Sequence, residues 1–120
     1  LLKELDAVGR LSAGGIWHGF TGPAEILPTL ANLNLSVSLG ALVTNPKASR
    51  CHKVAESVSL SRLLIESDCP DHPTPGSEHG IGEPAQLPEI ISAIAAYRDE
   101  PADVIAEATA CNASNLYQLD

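Results

Sequence analysis

Two carboxylates and a histidine follow apolar segments of strand length, and side chains of these types bind metal ions or transfer protons. Glu66 and Asp68 come just after the apolar run at residues 63–65, and His18 comes just after a second apolar stretch at residues 13–16. An apolar run that is bounded by turn formers is typical of a buried strand. The pattern therefore predicts strands that deliver polar groups to the edge of a sheet. Solvated acids at an exposed strand end are the alternative interpretation.

The segments between these residues alternate between strand and helix patterns. A third strand candidate covers residues 35–39, and helical patterns cover residues 23–32 and 47–58. This order is typical of βαβ units, which form a parallel sheet with right-handed crossovers. His18 and Asp68 lie 50 residues apart. That is two units of about 25 residues each, close to the roughly 30-residue βαβ repeat. We therefore expect both side chains at the carboxyl-terminal edge of one sheet.

Two amphipathic helices are predicted toward the end of the chain, over residues 86–98 and 102–117, because apolar side chains recur there at helical spacing. A helix-like stretch also covers residues 1–5. No linker, repeat or low-complexity tract interrupts the sequence, so we expect a single structural unit over residues 1–120. The sequence has no run of about 20 apolar residues, which argues against a membrane span.

The composition restricts the partners and the compartment. The formal net charge is −8, with seven lysines and arginines together, so the chain lacks the basic field that dominates nonspecific binding to nucleic acids. The three cysteines, Cys51, Cys69 and Cys111, form no CxxC pair and no regular spacing, which fits a reducing compartment. No leading basic-then-apolar signal segment is visible. We therefore expect a soluble, cytoplasmic protein.

Four segments resemble, in order and spacing, motifs of the TatD family of metal-dependent hydrolases. Residues 18–22 (His-Gly-Phe-Thr-Gly) look like the family's His-x-Phe-x-Gly motif on the sixth strand, and residues 64–70 look like its Glu-Thr-Asp-x-Pro motif on the eighth. Residues 83–84 resemble the end of its Asn-Glu-Pro motif, and residues 112–119 resemble its closing Asn-x-x-x-Leu-Phe segment. Three positions depart from these motifs: Ser67 (for Thr), Gly82 (for Asn) and Tyr117 (for Phe).

The resemblance implies an α/β fold, the carboxyl-terminal half of a (β/α)8 TIM barrel with three parallel strands and their helices. A complete barrel needs about 250 residues. The chain begins at Leu1 and contains no methionine, so we expect a fragment, with a processed or trimmed protein as the alternative. An isolated half barrel has two free sheet edges, and we expect it to be marginally stable or to self-associate.

The resemblance also implies a divalent-metal-dependent hydrolase of phosphodiester bonds, with deoxyribonuclease as the leading activity and ester or aminoacyl bonds as secondary substrates. Two ions of Mg²⁺, Mn²⁺ or Zn²⁺ are expected in the full-length barrel. His18 would bind one metal. Asp68 would bind the other and act as a catalytic residue in proton transfer from water. Glu66 lies on the same side of the strand as Asp68, one layer deeper, and would orient either a metal ligand or a loop amide without touching the metal itself. Without the resemblance, a structural role for His18 stays open.

The family's remaining metal ligands, a His-x-His pair, a Glu and a further His on earlier strands, have no counterpart in this sequence. Whether this chain is an enzyme therefore depends on what precedes it. In the full-length protein, DNA or another phosphodiester would bind through the metals. The alternative is a truncated, non-catalytic half barrel that is degenerate or binds a partner.

The remaining candidate residues are assigned less specific roles. Residues 71–79 are predicted to form a polar loop at the mouth of the barrel, where His72 and His79 either contact substrate or are only solvated. His52 is predicted on an exposed helix face beside two basic residues. Cys69 has no evident basic partner that would make it a nucleophile, so a packing role is predicted.

Overall fold

A computed structural model describes residues 2–119, and its centre is a three-stranded parallel sheet. The strands are β1 (Gly15–Trp17), β2 (Leu35–Leu39) and β3 (Leu63–Ile65), in the spatial order β1-β2-β3. Trp17 pairs with Val37, and Leu39 pairs with Ile65. The prediction of three parallel strands is confirmed. β2 has the predicted bounds, because its apolar run lies between Asn34 and Gly40.

Five α-helices accompany the sheet: α1 (Leu2–Val8), α2 (Leu27–Asn32), α3 (Ser49–Ser57), α4 (Leu87–Arg98) and α5 (Ala102–Tyr117). Short 3₁₀ turns cover Ala24–Ile26, Ala41–Thr44, Leu60–Arg62 and Pro84–Gln86. The helix predicted over residues 23–32 is divided into a 3₁₀ turn and α2. Pro28 lies in the first turn of α2, where its missing N–H costs nothing. In a continuous α-helix from residue 23, Pro28 would lie in the interior, and the hydrogen bond from its N–H would be missing.

The hydrophobic core lies between the sheet and the helices. All five residues of β2 are buried because the strand has a neighbour on each side. Side chains at helical spacing on α4, such as Ile90 and Ile94, pack into this core with Val54 of α3 and Ile105 of α5. Each of these four is at most 1% exposed. The sheet is therefore held from the helical side by apolar packing.

Two polar side chains connect helices to neighbouring segments. Asn112 on α5 donates from Nδ2 to the carbonyl oxygens of Leu60 (2.7 Å) and Leu63 (2.8 Å), which fixes α5 against the start of β3. Arg98 at the end of α4 donates to the carbonyl oxygens of Ala55 (2.9 Å) and Val58 (2.8 Å), near the end of α3. Because helix ends leave carbonyls without partners, the second contact acts as a cap supplied by another helix.

His52 does not lie on an exposed face, so that prediction was wrong. Its side chain is buried against α4, where the imidazole stacks on Tyr97 with ring centroids 3.9 Å apart. His52 Nε2 is also 3.2 Å from the carbonyl oxygen of Val43. The neighbouring Arg50 and Lys53 are exposed as expected, because they lie on the other side of α3.

β1 and β3 form the two edges of the described sheet, since each pairs only with β2 within residues 2–119. This matches the two free sheet edges expected for a half barrel. Self-association through these edges stays a prediction. Across the same residues, the helices are all too short or too polar to cross a membrane.

Candidate metal site

The predicted polar groups meet at the carboxyl-terminal edge of the sheet. His18 follows β1, and Glu66 and Asp68 follow β3, so parallel strands bring all three to one edge. One potential ligand atom from each residue lies within 4.8 Å of the other two. The prediction that His18 and Asp68 face each other is confirmed. Their assignment as metal ligands stays a prediction.

The imidazole of His18 lies between the two carboxylates. Nδ1 is 2.6 Å from Glu66 Oε2, and Nε2 is 3.0 Å from Asp68 Oδ1. The His18 side chain is 68% exposed, whereas those of Glu66 and Asp68 are 11% and 32% exposed. Glu66 therefore lies on the buried side of the His18 ring, next to Nδ1, and Asp68 lies on the solvent side, next to Nε2.

Ser38 completes this cluster, and our sequence interpretation did not identify it. It lies on the central strand and is 3% exposed. Its hydroxyl donates to Glu66 Oε2, and the Gly19 N–H donates to Ser38 Oγ over 3.3 Å. The signal in the sequence was the pair of serines, Ser36 and Ser38, at a spacing of two within an apolar strand. This spacing places both on one face of the sheet.

Two glycines allow the backbone to approach Glu66 closely. Gly19 has φ of +59°, a conformation that favours glycine. A Cβ on Gly40 would lie 3.2 Å from Glu66 Cγ and 3.4 Å from Glu66 Oε1. Oε1 is buried and has no hydrogen-bond partner within residues 2–119. Glu66 thus directs one oxygen at its partners and keeps the other in a narrow space between the two glycines.

These groups fit a divalent cation. An imidazole nitrogen and carboxylate oxygens are the ligands of zinc and manganese, and the harder ions favour the oxygens. His18 Nε2 and Asp68 Oδ1, at 3.0 Å, are close enough to contact the same ion or two adjacent ions. Two carboxylates beside one imidazole also give the cluster a negative charge that a cation would offset. The unpartnered Oε1 of Glu66 adds to the negative charge that a cation would offset.

The cluster opens into a cleft of about 960 Å³. Its walls include the loop after β2 and the start of the loop after β3, with Asp71 and His72 among the lining residues. His79 is not among them. The wall contributed by residues 2–119 contains no lysine or arginine. The part of the wall that residues 2–119 supply therefore presents histidines and carboxylates without a fixed cationic side chain.

The loop after β3 is held by hydrogen bonds at its base. Gln86 Oε1 accepts from the backbone N–H groups of Thr74 and Glu83, each over 3.3 Å. The Gly82 N–H donates to the carbonyl oxygen of Pro70 over 2.8 Å, and a Cβ on Gly82 would overlap the carbonyl oxygen of Asp71. The glycine found in place of the family's Asn thus allows a close backbone contact that a side chain would prevent.

The cysteines differ in their surroundings. Cys51 is buried and lines the inner part of the cleft, and burial raises the pKa of its thiol to about 11. Cys69 is exposed, so the prediction of a packing role was wrong. It follows Asp68 where the chain has already left the sheet, and the core therefore does not cover it.

Comparisons with known proteins agree with the architecture. The family described as TatD related DNase matches residues 1–118. The uncharacterized metal-dependent hydrolase YabD of Bacillus subtilis is 33% identical over 123 residues, covering 100% of this chain and 46% of its own length. A TatD of Pantoea sp., named a 3'-5' ssDNA/RNA exonuclease, is 29% identical over 113 residues, covering 88% of this chain and 43% of its own length.

The crystal structure of YjjV, a TatD homolog from Escherichia coli K12, superposes with a TM-score of 0.88 at 30% identity. The match covers 100% of this chain and 46% of the YjjV chain. This chain thus spans less than half the length of these relatives. Its three parallel strands and helices correspond to one half of a TIM barrel, as predicted. By its sequence match and its fold, the chain belongs to the TatD-related DNase family.

Proposed function

We propose that this chain forms part of the active site of a divalent-metal-dependent hydrolase that cleaves phosphodiester bonds. The observation that carries the proposal is the position of His18 Nε2 and Asp68 Oδ1, 3.0 Å apart at the mouth of an open cleft. Glu66 lies behind the imidazole on its Nδ1 side. This arrangement places Nε2 and Oδ1 at the open side of the cluster, where a cation would replace the contact between them.

His18 and Asp68 would hold the metal, and Asp68 would also take part in proton transfer from the attacking water. Divalent ions, when bound, activate water and offset charge on the phosphate. Glu66 would accept the Nδ1 hydrogen of His18, which fixes the ring and makes Nε2 the ligand nitrogen. We also propose that the ion is Mg²⁺, Mn²⁺ or Zn²⁺, that the complete barrel binds two ions, and that the protein is cytoplasmic.

Nucleic acid is the proposed substrate, with DNA first. The Pantoea relative is named for ssDNA and RNA, and the family is described as a DNase. The net charge of −8 and the absence of basic residues from the described cleft wall mean that this part of the protein adds little electrostatic affinity. Phosphate would instead be held by the cations and by parts of the protein outside these residues.

The test uses the protein expressed from its complete gene. After removal of metals with a chelator, Mg²⁺, Mn²⁺ or Zn²⁺ is added back and cleavage of labelled single-stranded DNA, RNA and a simple phosphodiester is measured. We expect cleavage that depends on added metal, with nucleic acid preferred. Strong cleavage without any metal, or no cleavage of any phosphodiester with every metal, would contradict the proposal.

The 120 residues alone are expected to bind metal weakly and to be inactive. Strong sites use three or four protein ligands, and the described residues bring together two outer ligands with Glu66 behind one of them. Comparing the 120-residue chain with the product of the complete gene separates an incomplete enzyme from a non-catalytic binding protein. If both are inactive and bind no metal, the non-catalytic alternative is favoured.

A further inference from the structure

We propose that Ser38 is a positioning residue: it fixes the carboxylate of Glu66 and, through it, the tautomer and orientation of the His18 ring. The inference rests on the proposed metal-binding function. It assigns a role to a residue on the central strand that would not touch the ion itself. The argument depends on where the single hydroxyl hydrogen of Ser38 is directed.

The hydroxyl of Ser38 has one hydrogen to donate. Its oxygen already accepts the Gly19 N–H over 3.3 Å, so a lone pair is engaged on that side. The hydrogen is directed to Glu66 Oε2. Because a hydroxyl has one donor and two acceptor lone pairs, this arrangement leaves it little freedom to rotate. Ser38 therefore connects the turn after β1 with the carboxylate after β3.

The backbone strengthens the same connection. The Phe20 N–H donates to the carbonyl oxygen of Ser38 over 3.1 Å, and the Glu66 N–H donates to the carbonyl oxygen of Leu39 over 3.1 Å. The segments that carry His18 and Glu66 are thus both fixed to the end of β2. Ser38 is 3% exposed, so water does not compete strongly for its hydroxyl. The side chains of His18 and Glu66 are therefore both positioned relative to the central strand, β2.

Glu66 Oε2 is the atom that joins the two contacts. It accepts from Ser38 and lies 2.6 Å from His18 Nδ1, whereas Oε1 has no partner within residues 2–119. Without the Ser38 hydroxyl, one of the two partners that hold the carboxylate would be lost. In the intact cluster, the shorter contact with the more buried carboxylate favours the hydrogen on Nδ1 over Nε2, which lies 3.0 Å from Asp68 Oδ1. If Glu66 turned, this preference would weaken and the hydrogen would be shared with Nε2. The ligand nitrogen Nε2 would be presented less often.

Ser36 provides a matched control. It lies two residues earlier on β2, on the same face of the strand, and is 7% exposed. In the described part of the chain its hydroxyl makes no hydrogen bond to Glu66 or Gly19. Ser36→Ala therefore removes the same atoms from the same strand without affecting the proposed contact.

The experiment compares the complete protein with its Ser38→Ala, Ser38→Thr and Ser36→Ala variants. In the metal-free protein at pH 8, ¹⁵N NMR of the imidazole nitrogens reports the tautomer of His18. Calorimetry then measures the affinity for Zn²⁺ and Mn²⁺. The backbone amide spectrum shows whether each variant is folded. A purely structural role of Ser38 would leave the tautomer of His18 unchanged.

We expect Nδ1–H of His18 to predominate in the wild type and in Ser36→Ala. Ser38→Ala should give a mixture of tautomers and a roughly 10- to 100-fold loss of metal affinity, the range found for residues that hold a metal ligand from behind. Ser38→Thr keeps the hydroxyl and should stay close to the wild type in the tautomer. An unchanged tautomer in Ser38→Ala, or equal losses in Ser36→Ala, would overturn the inference.

The two proposals fail in different ways. If the wild type binds neither Zn²⁺ nor Mn²⁺ and shows no cleavage with Mg²⁺, the proposed function fails, and the tautomer of His18 still decides the role of Ser38. If the wild type binds metal but Ser38→Ala has the wild-type tautomer and affinity, the proposed function stands and the inference on Ser38 is wrong.

Discussion

His18 and His52 occupy two different regions of the molecule and show what an imidazole does in each. His18 lies at the carboxyl-terminal edge of the sheet, 68% exposed, between the carboxylates of Glu66 and Asp68. His52 lies in the helical layer, 8% exposed, with its ring stacked on Tyr97. The same side chain is thus a candidate ligand in one region and a packing element in the other.

The difference comes from the partners that each region supplies. At the sheet edge, strand ends deliver carboxylates that favour a cation, and solvent can bring one in. In the helical layer, His52 contacts a ring and a carbonyl oxygen, and both nearby basic residues point to solvent. Exposure together with converging carboxylates, rather than the presence of a histidine, distinguishes the candidate metal site from the helical layer.

The largest expected effect follows from Asp68→Asn in the complete protein. The substitution keeps the shape of the side chain but removes the proposed anionic ligand, so we expect metal-dependent cleavage to fall by about 10³-fold or more, since metal-assisted charge stabilisation is worth several kcal/mol. Steady-state cleavage of labelled DNA measures this loss.

Glu78→Gln is the control for Asp68→Asn. Glu78 is exposed in the loop after β3, so the change removes one negative charge from this loop without changing the cluster. We expect activity close to wild type. An active Asp68→Asn protein would show that Asp68 is structural and would break the distinction between the two regions.

The paired variants His18→Ala and His52→Ala test the comparison directly. His18→Ala should lower metal affinity by at least about 10-fold with little change in stability, because the ring is largely exposed. His52→Ala should lower the free energy of unfolding by about 2–3 kcal/mol through a cavity, a lost ring contact and a lost hydrogen bond.

Denaturant unfolding and metal titration on both variants provide the measurement. The two effects should be separate, with each variant changing one quantity and sparing the other. If His52→Ala lost metal affinity as strongly as His18→Ala while remaining folded, the helical layer would share in the site.

Sequence alone was sufficient for the elements with clear boundaries. β2 and α5 have the predicted bounds, because turn residues flank the first and Pro101 precedes the second. The parallel βαβ order also placed His18 and Asp68 at one edge, since it fixes which strand ends meet. The resemblance in four motifs identified the family.

The contacts of Ser38 and His52 could not be predicted in the same way. Ser38 meets Glu66 only because β2 and β3 pair in a particular register, which the hydrophobic pattern does not specify. His52 is buried because Tyr97 on a different helix covers it, whereas its sequence neighbours are charged and indicated an exposed face. Both contacts join residues far apart in the chain.

A smaller effect is expected from Asn112→Ala, which changes the helical layer without touching the site. The variant loses two hydrogen bonds to the carbonyl oxygens of Leu60 and Leu63, so we expect the free energy of unfolding to fall by about 1–2 kcal/mol. Thermal or denaturant unfolding measures the change.

Asn115→Ala is the matched control on the same helix. Asn115 is exposed and its Nδ2 lies 3.5 Å from Cys111 Sγ, so its removal should change stability by less than about 0.5 kcal/mol. Equal losses in the two variants would show that the contact of Asn112 with the start of β3 does not stabilise α5.

The smallest effect concerns reactivity rather than stability, and it separates the buried cysteine from the two exposed ones. Burial raises the pKa of the Cys51 thiol to about 11, so at pH 8 the thiolate, which is the reactive form, is scarce, and its fraction rises with pH and passes one half at that value. Cys69 and Cys111 are exposed. Iodoacetamide at pH 8, followed by mass spectrometry, should therefore modify Cys69 and Cys111 well before Cys51, and all three at similar rates in denaturant. Equal labelling of Cys51 and Cys69 in the folded protein would mean that the reagent reaches the inner part of the cleft. The helical layer and the sheet edge would then differ less in exposure than His52 and His18 indicate.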